Sequence, residues 1–279
     1  MTRNFQMIDV FGSGPLLGNP LAVVHDAVGL TTDEMQATAR WMNLSETTFL
    51  LPPTKEEADY QVRIFTLIDE LSFAGHPTLG SAHAWLSAGG TAKGDIIVQE
   101  CGIGLVELKS DERLSFAAPP LIRSGPVDEA YAAQVGAVLG IGTDEMVAIE
   151  WVDNGPGWVG VLMKDHEAVL ALKPDIGRYT GEGQIDIGVV GPHPVTSDVG
   201  YEVRAFFSDH RGQLVEDPVT GSLNASLAQW LIGSGRAPRS YLAAQGTAIG
   251  RAGRIHITQD ESQTWVGGST VTVVTGEID

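Results

Sequence analysis

Glu46, His76 and Asp217 are side chains whose types and settings in this sequence could move a proton. Glu46 lies in Leu44-Ser45-Glu46-Thr47-Thr48-Phe49-Leu50, a carboxylate at the mouth of an apolar strand and just after a helix-like segment. Partial burial there would raise its pKa toward the range useful for acid–base work. A solvated strand end fits the same pattern. His76 and Asp217 each precede a proline, and proline suits the first turn of a helix, where its missing N–H is no loss. Both therefore read as residues at or beside a helix N-cap, with Gly80-Ser81 and Gly221-Ser222 following in the first turn. Small residues let a ligand approach backbone N–H groups, and a helix N-terminus favours an anion. Two such ends facing one cleft would hold a small carboxylate. Ordinary capping accounts for Asp217 taken singly, and a lone histidine before a proline is more often structural. The pairing of the two is what favours chemistry.

The pairing comes from an internal repeat. Residues 60–86 overlie residues 201–227 at a constant offset of 141, with nine identities in 27 positions, among them Tyr60/Tyr201, Arg63/Arg204, Phe65/Phe206 and Gly80/Gly221. Chance would give about one or two. Each copy reads as a strand, a turn and a helix, and His76 and Asp217 fall on one repeat position. The simplest architecture is two similar halves, residues 1–124 and 125–279, with the cleft between them as the default site. Packing alone would explain Val62/Val203 and Phe65/Phe206.

The elements that must position these groups are mixed. Strand-like runs, rich in β-branched and aromatic residues, cover 46–51, 60–66, 95–100, 104–109, 146–152, 158–163, 186–190, 201–207, 254–258 and 263–274. Helical candidates are 32–43, with Thr32 as N-cap, then 77–88, 128–140, 166–171 and 218–233. Many short strands without a regular alternation with helices make this an α+β chain.

Composition narrows the function. The 279 residues are 43% hydrophobic, enough for a substantial core. A formal charge of −18 repels nucleic acid and anionic lipid. No apolar run is long enough for a membrane helix. The first residues lead into a strand-like segment without signal-peptide order, which makes the cytoplasm the expected location. Cys101 is the one cysteine, so an internal disulfide, a cysteine zinc site and any two-thiol mechanism are excluded. Gly12-Ser13-Gly14-Pro15 lacks dinucleotide-loop spacing, Gly102-Ile103-Gly104 reads as a turn, and there is neither a P-loop nor an HExxH motif. No metal and no cofactor is expected. The five lysines, at 55, 93, 109, 164 and 173, lie beside charged or turn residues, unlike a buried Schiff-base lysine.

Gly18-Asn19-Pro20-Leu21-Ala22-Val23-Val24, Ser45-Glu46-Thr47-Thr48-Phe49, Arg63-Ile64-Phe65-Thr66, Phe73-Ala74-Gly75-His76-Pro77-Thr78-Leu79-Gly80 and Glu216-Asp217-Pro218-Val219-Thr220-Gly221-Ser222 resemble, in order, the signatures of the phenazine-biosynthesis PhzF-like family. The resemblance runs over nearly the full chain. It implies a diaminopimelate-epimerase-like fold: two pseudo-symmetric halves, each a strongly curved, mostly antiparallel sheet around a central helix. It also implies a cofactor-independent isomerase and a homodimer. The family's phenazine-pathway member isomerises trans-2,3-dihydro-3-hydroxyanthranilate by moving a hydrogen within the ring system. The family's catalytic glutamate falls on Glu46, its supporting histidine and aspartate on His76 and Asp217, and its carboxylate-binding small residues on Ser45, Gly75, Gly221 and Ser222, with Asn19 close by. The stretch from Phe11 to Leu17 is more glycine-rich here than in the family.

Two other functions compete with an isomerase of a small carboxylate. One is a thiol-independent racemase or epimerase of an amino-acid-like substrate, which would exchange an α-hydrogen with inversion. The other is a non-catalytic binding protein retaining the fold, which would not need Glu46, His76 and Asp217 together.

Overall fold

The computed structural model describes residues 2–209 and 211–279. Along the chain come β1 (Arg3–Val10), β2 (Asn19–Val24), α1 (Thr32–Met42), β3 (Thr47–Leu51), β4 (Tyr60–Phe65), β5 (Glu70–Leu71), α2 (Gly75–Ser87), β6 (Ile97–Cys101), β7 (Gly104–Ser110) and β8 (Leu114–Ala117). There follow β9 (Arg123–Pro126), α3 (Glu129–Leu139), β10 (Ala148–Asp153), β11 (Val159–Leu162), α4 (His166–Ala171), β12 (Asp186–Pro192), β13 (Tyr201–Ser208), β14 (Leu214–Asp217), α5 (Gly221–Gly233), β15 (Ser240–Gln245) and β16 (Gly253–Gln259). The chain ends in β17 (Thr264–Gly268) and β18 (Thr270–Ile278). It divides into two compact units. One runs to Ala117 and resumes at Trp265–Asp279; the other is Ala118–Thr264. The division thus falls before residue 124, and the last strand returns to the first unit because β18 pairs antiparallel with β1 and β17 with β8.

In the first unit β1 pairs with β2, β2 runs parallel to β3, β3 pairs antiparallel with β4, β4 runs parallel to β6, and β7 and β8 follow antiparallel. This sheet curves around α2, which touches β1, β2, β3, β4, β8 and β18. Nine of the thirteen α2 residues are buried, so the helix is covered on several faces rather than along one stripe. Its small residues allow this: a Cβ on Gly80 would stand 2.5 Å from the Leu21 side chain. On the opposite face of the sheet α1 covers Phe49 and Phe65 with Met35 and Ala39. Its N-cap is Thr31, one residue before the sequence expectation, because Thr31 and Glu34 close a capping box.

The second unit repeats this plan. β10 pairs with β11, β11 is parallel to β12, β12 antiparallel to β13, β13 parallel to β15, and β16 follows. The central helix is α5, with ten of thirteen residues buried. The other face of the sheet carries α3 and α4 over Val159, Val161, Ile187 and Val189.

Strand register shows where the copies correspond. Phe65 faces Glu70 across β4 and β5, and Phe206 faces Glu216 across β13 and β14. Both hairpins carry the same ion pair, Arg63–Glu70 at 2.6 Å and Arg204–Glu216 at 2.8 Å. Glu70 comes five positions after Phe65 and Glu216 ten positions after Phe206, so the second hairpin is five residues longer. The ungapped repeat therefore holds for the strand and fails for the helix. Gly75 and Gly221 each open the central helix, His76 corresponds to Ser222, and Asp217 corresponds to Leu71. His76 and Asp217 do not share a repeat position.

The connection from β1 to β2 is drawn tight against its own backbone. Asp9 accepts hydrogen bonds from the Leu17 and Gly18 amides at 3.2 and 3.0 Å. A Cβ on Gly18 would fall onto the Val10 carbonyl and lie 2.6 Å from the Gly12 nitrogen, whereas one on Gly14 would meet only Leu17, at 3.6 Å. Backbone in the way cannot yield as a side chain can. Gly18→Ala is expected to cost at least about 2 kcal/mol and Gly14→Ala under about 0.5 kcal/mol, read from urea midpoints.

Candidate functional site

The start of α2 brings three of the expected residues into contact. His76 is the second residue of the helix, Glu46 immediately precedes β3, and Asn19 opens β2. His76 Nε2 lies 3.3 Å from Glu46 Oε2, with side-chain exposures of 5% and 15%. On the other side of the ring, Asn19 Nδ2 lies 3.2 Å from His76 Nδ1. The β3 strand is fastened to α2 through Ser81 Oγ, which donates to Thr48 Oγ1 at 2.9 Å. Thr48 is two residues after Glu46 and so shares its face of the strand.

Burial pushes the His76 imidazole down to about 3. The ring is therefore neutral at ordinary pH, with one nitrogen protonated and one free to accept. An amide N–H donated to Nδ1 places the ring proton on Nε2, the nitrogen beside Glu46. The arrangement is a neutral N–H donor held against a carboxylate that retains some exposure. Such a carboxylate can accept and return a proton while the imidazole balances charge on its oxygen.

Ser45 is exposed beside Glu46, and Gly75 is the buried first residue of α2. The remaining expected residues belong to the second unit. Gly221 and Ser222 are the first two residues of α5, both buried, and Asp217 ends β14 four residues earlier. Neither Asp217 nor His76 is an N-cap; those positions are Thr220 and Ala74. Asp217 is instead held by a polar network. The Thr220 hydroxyl donates to Asp217 Oδ2 at 2.5 Å, and Gln245 Nε2 donates to the Asp217 carbonyl at 3.1 Å. Gln245 Oε1 accepts from the Thr220 amide and from Asn224 Nδ2, at 3.0 and 2.8 Å. Sequence reasoning placed Thr220 within a family signature but gave it no role, and passed over Asn224 and Gln245, which carry no motif.

It also passed over three aspartates. Thr47 and Ile187 occupy matching register positions, which makes Asp186 the counterpart of Glu46. Met7 and Trp151 likewise match, which makes Asp153 the counterpart of Asp9. Burial, with a contribution from the Asp153 charge, pushes the Asp186 carboxyl up to about 7. The legible signal was an aspartate at the end of a strand followed closely by glycines, in Asp9-Val10-Phe11-Gly12 and Asp153-Asn154-Gly155. Among the described residues no group of three or more His, Cys, Asp or Glu could hold a metal ion. No helix there is long and apolar enough to cross a membrane.

Comparison with known proteins gives this arrangement a class. A family model described as phenazine biosynthesis-like protein, PhzC-PhzF, matches residues 8–276. Antisense-enhancing sequence 1 of Schizosaccharomyces pombe is 34% identical, over 99% of this chain and 98% of its own. Trans-2,3-dihydro-3-hydroxyanthranilate isomerase of Pseudomonas aeruginosa is 33% identical, over 91% of this chain and 89% of its own. The crystal structure of a PhzF-family phenazine biosynthesis protein from Bacillus anthracis superposes with a TM-score of 0.82 at 24% identity, covering 100% of this chain and 99% of that one. The fold is thus that of the PhzF proteins, and the chain is an isomerase. It belongs to the phenazine biosynthesis-like PhzC-PhzF family.

Two pH dependences follow from the buried groups. An unfolded chain protonates His76 near 6.5 while the folded chain holds it neutral to about 3, so acid favours unfolding as pH falls below 6.5. Between pH 7 and pH 5, His76→Gln should lose about 1–2 kcal/mol less stability than the wild type, measured by urea denaturation. Asp186 has the opposite sign. The fold retains a proton to about 7 that the unfolded chain releases near 3.8, so this group destabilises as pH rises between those values. Asp186→Asn should be more stable than the wild type by about 1–2 kcal/mol at pH 8, with the gain gone by pH 4.

Proposed function

We propose that this isomerase moves a proton on a small carboxylate substrate without a cofactor, with Glu46 as the general acid–base. The observation that carries the reading is the contact between Glu46 and a histidine kept neutral by burial. The Glu46 carboxylate takes a proton from an activated carbon and becomes a carboxylic acid. The electron pair left behind shifts through the adjacent double bond. The same proton then returns to the carbon at the far end, so substrate and product have one composition. A neutral Nε2–H beside the carboxylate stabilises its charged form before and after the transfer, and positioned acid–base catalysis of this kind contributes about 10²–10⁴-fold.

The opening of α2 supplies the expected means of binding the substrate carboxylate, and the opening of α5 has the same form. Each is a thirteen-residue helix beginning with glycine, whose first amides have no partner within the helix and favour an anion. Gly75, Gly221, Ser222 and Ser45 are the residues assigned to this role. Asp217, fixed by Thr220 and Gln245, is assigned to orient a polar substituent. The substrate class is a cyclic amino-carboxylate like trans-2,3-dihydro-3-hydroxyanthranilate, the compound for which the P. aeruginosa relative is named.

Proton NMR of that compound in D₂O tests the reading. The wild type should convert it with a double-bond shift, and Glu46→Gln should be slower by at least about 100-fold. Equal rates for the two proteins would remove Glu46 from the chemistry. Deuterium entering with inversion at one carbon, and no double-bond shift, would make the enzyme an epimerase instead.

A further inference from the structure

We propose that Asp9 is a positioning residue for His76, acting through the Gly18 amide and the Asn19 side chain to fix which ring nitrogen carries the proton. The inference rests on the reading of Glu46 and His76 as the reacting pair. Asp9 is buried, and its carboxylate receives the amides of Leu17 and Gly18, the latter at both oxygens, 3.0 and 3.2 Å. Asn19 is the next residue. It is fully buried at the first rung of β2, opposite Val10, and its Nδ2 reaches His76 Nδ1 at 3.2 Å. A carboxamide turned the other way would present its oxygen to Nδ1, draw the ring proton there and leave two lone pairs facing each other between Nε2 and Glu46. Orientation of one amide thus decides whether His76 supports or opposes the Glu46 carboxylate, and Asp9 sets the backbone from which that amide projects.

The second unit carries the same device in independent residues. Asp153, the counterpart of Asp9, accepts the Gly155 and Gly157 amides, both at 2.7 Å. The asparagine beside it, Asn154, donates Nδ2 to the carbonyl of Ser222 at 2.9 Å. Ser222 is the second residue of α5, as His76 is of α2. In both units an aspartate grips a loop that delivers an asparagine to the second residue of the central helix. The two asparagines do not match in register, so the arrangement, rather than one retained side chain, is what recurs.

Long-range ¹H–¹⁵N spectra of the histidine rings test this without any substrate. The His76 signals are assigned by their loss in His76→Gln. At pH 7 the wild type should show a pyrrole-like Nε2 and a pyridine-like Nδ1. Asp9→Asn and Asn19→Ala should both move these shifts toward tautomer averaging, while Asp153→Asn, which loosens the other loop, should leave them unchanged. Where the substrate is turned over, the first two variants should lower kcat about tenfold with KM within about twofold. A folded Asp9→Asn whose His76 signals match the wild type overturns the proposal. Should Asp9→Asn not fold, Asp9→Ser, which keeps a short acceptor, gives the same decision. If the wild type does not turn over the test compound, the proposed substrate falls while the ring spectra still decide the role of Asp9.

Discussion

An imidazole in the first turn of a helix that is covered on several faces must have its two nitrogens answered by protein rather than water. That requirement, at His76, ties together much of the first unit. One nitrogen is met by Asn19 and the other faces Glu46. The Asn19 bond ties the entry of β2 to the first turn of α2, and the residue before β3 lies 3.3 Å from the ring without hydrogen-bonding to it. An unmatched buried donor or acceptor costs about 1–3 kcal/mol, so Asn19 is held against Nδ1 by that energy, while Nε2 beside Glu46 bears the cost. Glu46 stands beside a buried ring whose hydrogen bonding is satisfied on the Asn19 side alone.

The two units solve one packing problem with different polar content. Both bury a thirteen-residue helix opening with glycine, and both brace the preceding hairpin with an arginine–glutamate pair. Each arginine also reaches a helix beyond its hairpin: Arg63 donates to the Thr32 hydroxyl at the start of α1, and Arg204 to the Val169 and Leu172 carbonyls at the end of α4. At the second helical position one unit has histidine and the other serine. At the head of the third strand one has Glu46, just before it, and the other Asp186, its first residue. A glutamate–histidine contact in the first unit and a network of Thr220, Asn224 and Gln245 around Asp217 in the second are variations on one frame.

Much of this was legible in the sequence, and the failures have physical causes. The helix at 166–171 was read to the residue, and the α+β class follows from the pattern. The strand-like runs omit β5, β8 and β14, each four residues or shorter, and also β2, β9 and β15, where Asn19-Pro20, Gly125-Pro126 and the alanines of β15 carry weak strand propensity. The run 263–274, read as one strand, breaks at Ser269, whose carbonyl takes the Phe11 amide at 2.7 Å. Glu46, His76 and Asn19 were named from sequence, and the structure places them in contact. The symmetry assigned to His76 and Asp217 was wrong because a longer hairpin shifts the register, and chance matches such as Gly80 with Gly221 hid the shift. Asp9 was marked only by the glycines that follow it, because a carboxylate that binds backbone amides needs no partner side chain.

The return of the last strand bears on how the chain is made. The unit holding Asp217 is continuous, Ala118–Thr264, and all of it has been synthesised before the final fifteen residues appear. The unit holding Glu46 is translated first yet lacks an edge until β18 reaches β1, joining Arg3 to Ile278 across nearly the full length of the chain. Pairing of such sequence separation is slow to form, because a long loop must close before it is rewarded. During synthesis β1 is therefore left with one neighbour, β2, and the half of the protein that begins first is the half that finishes last.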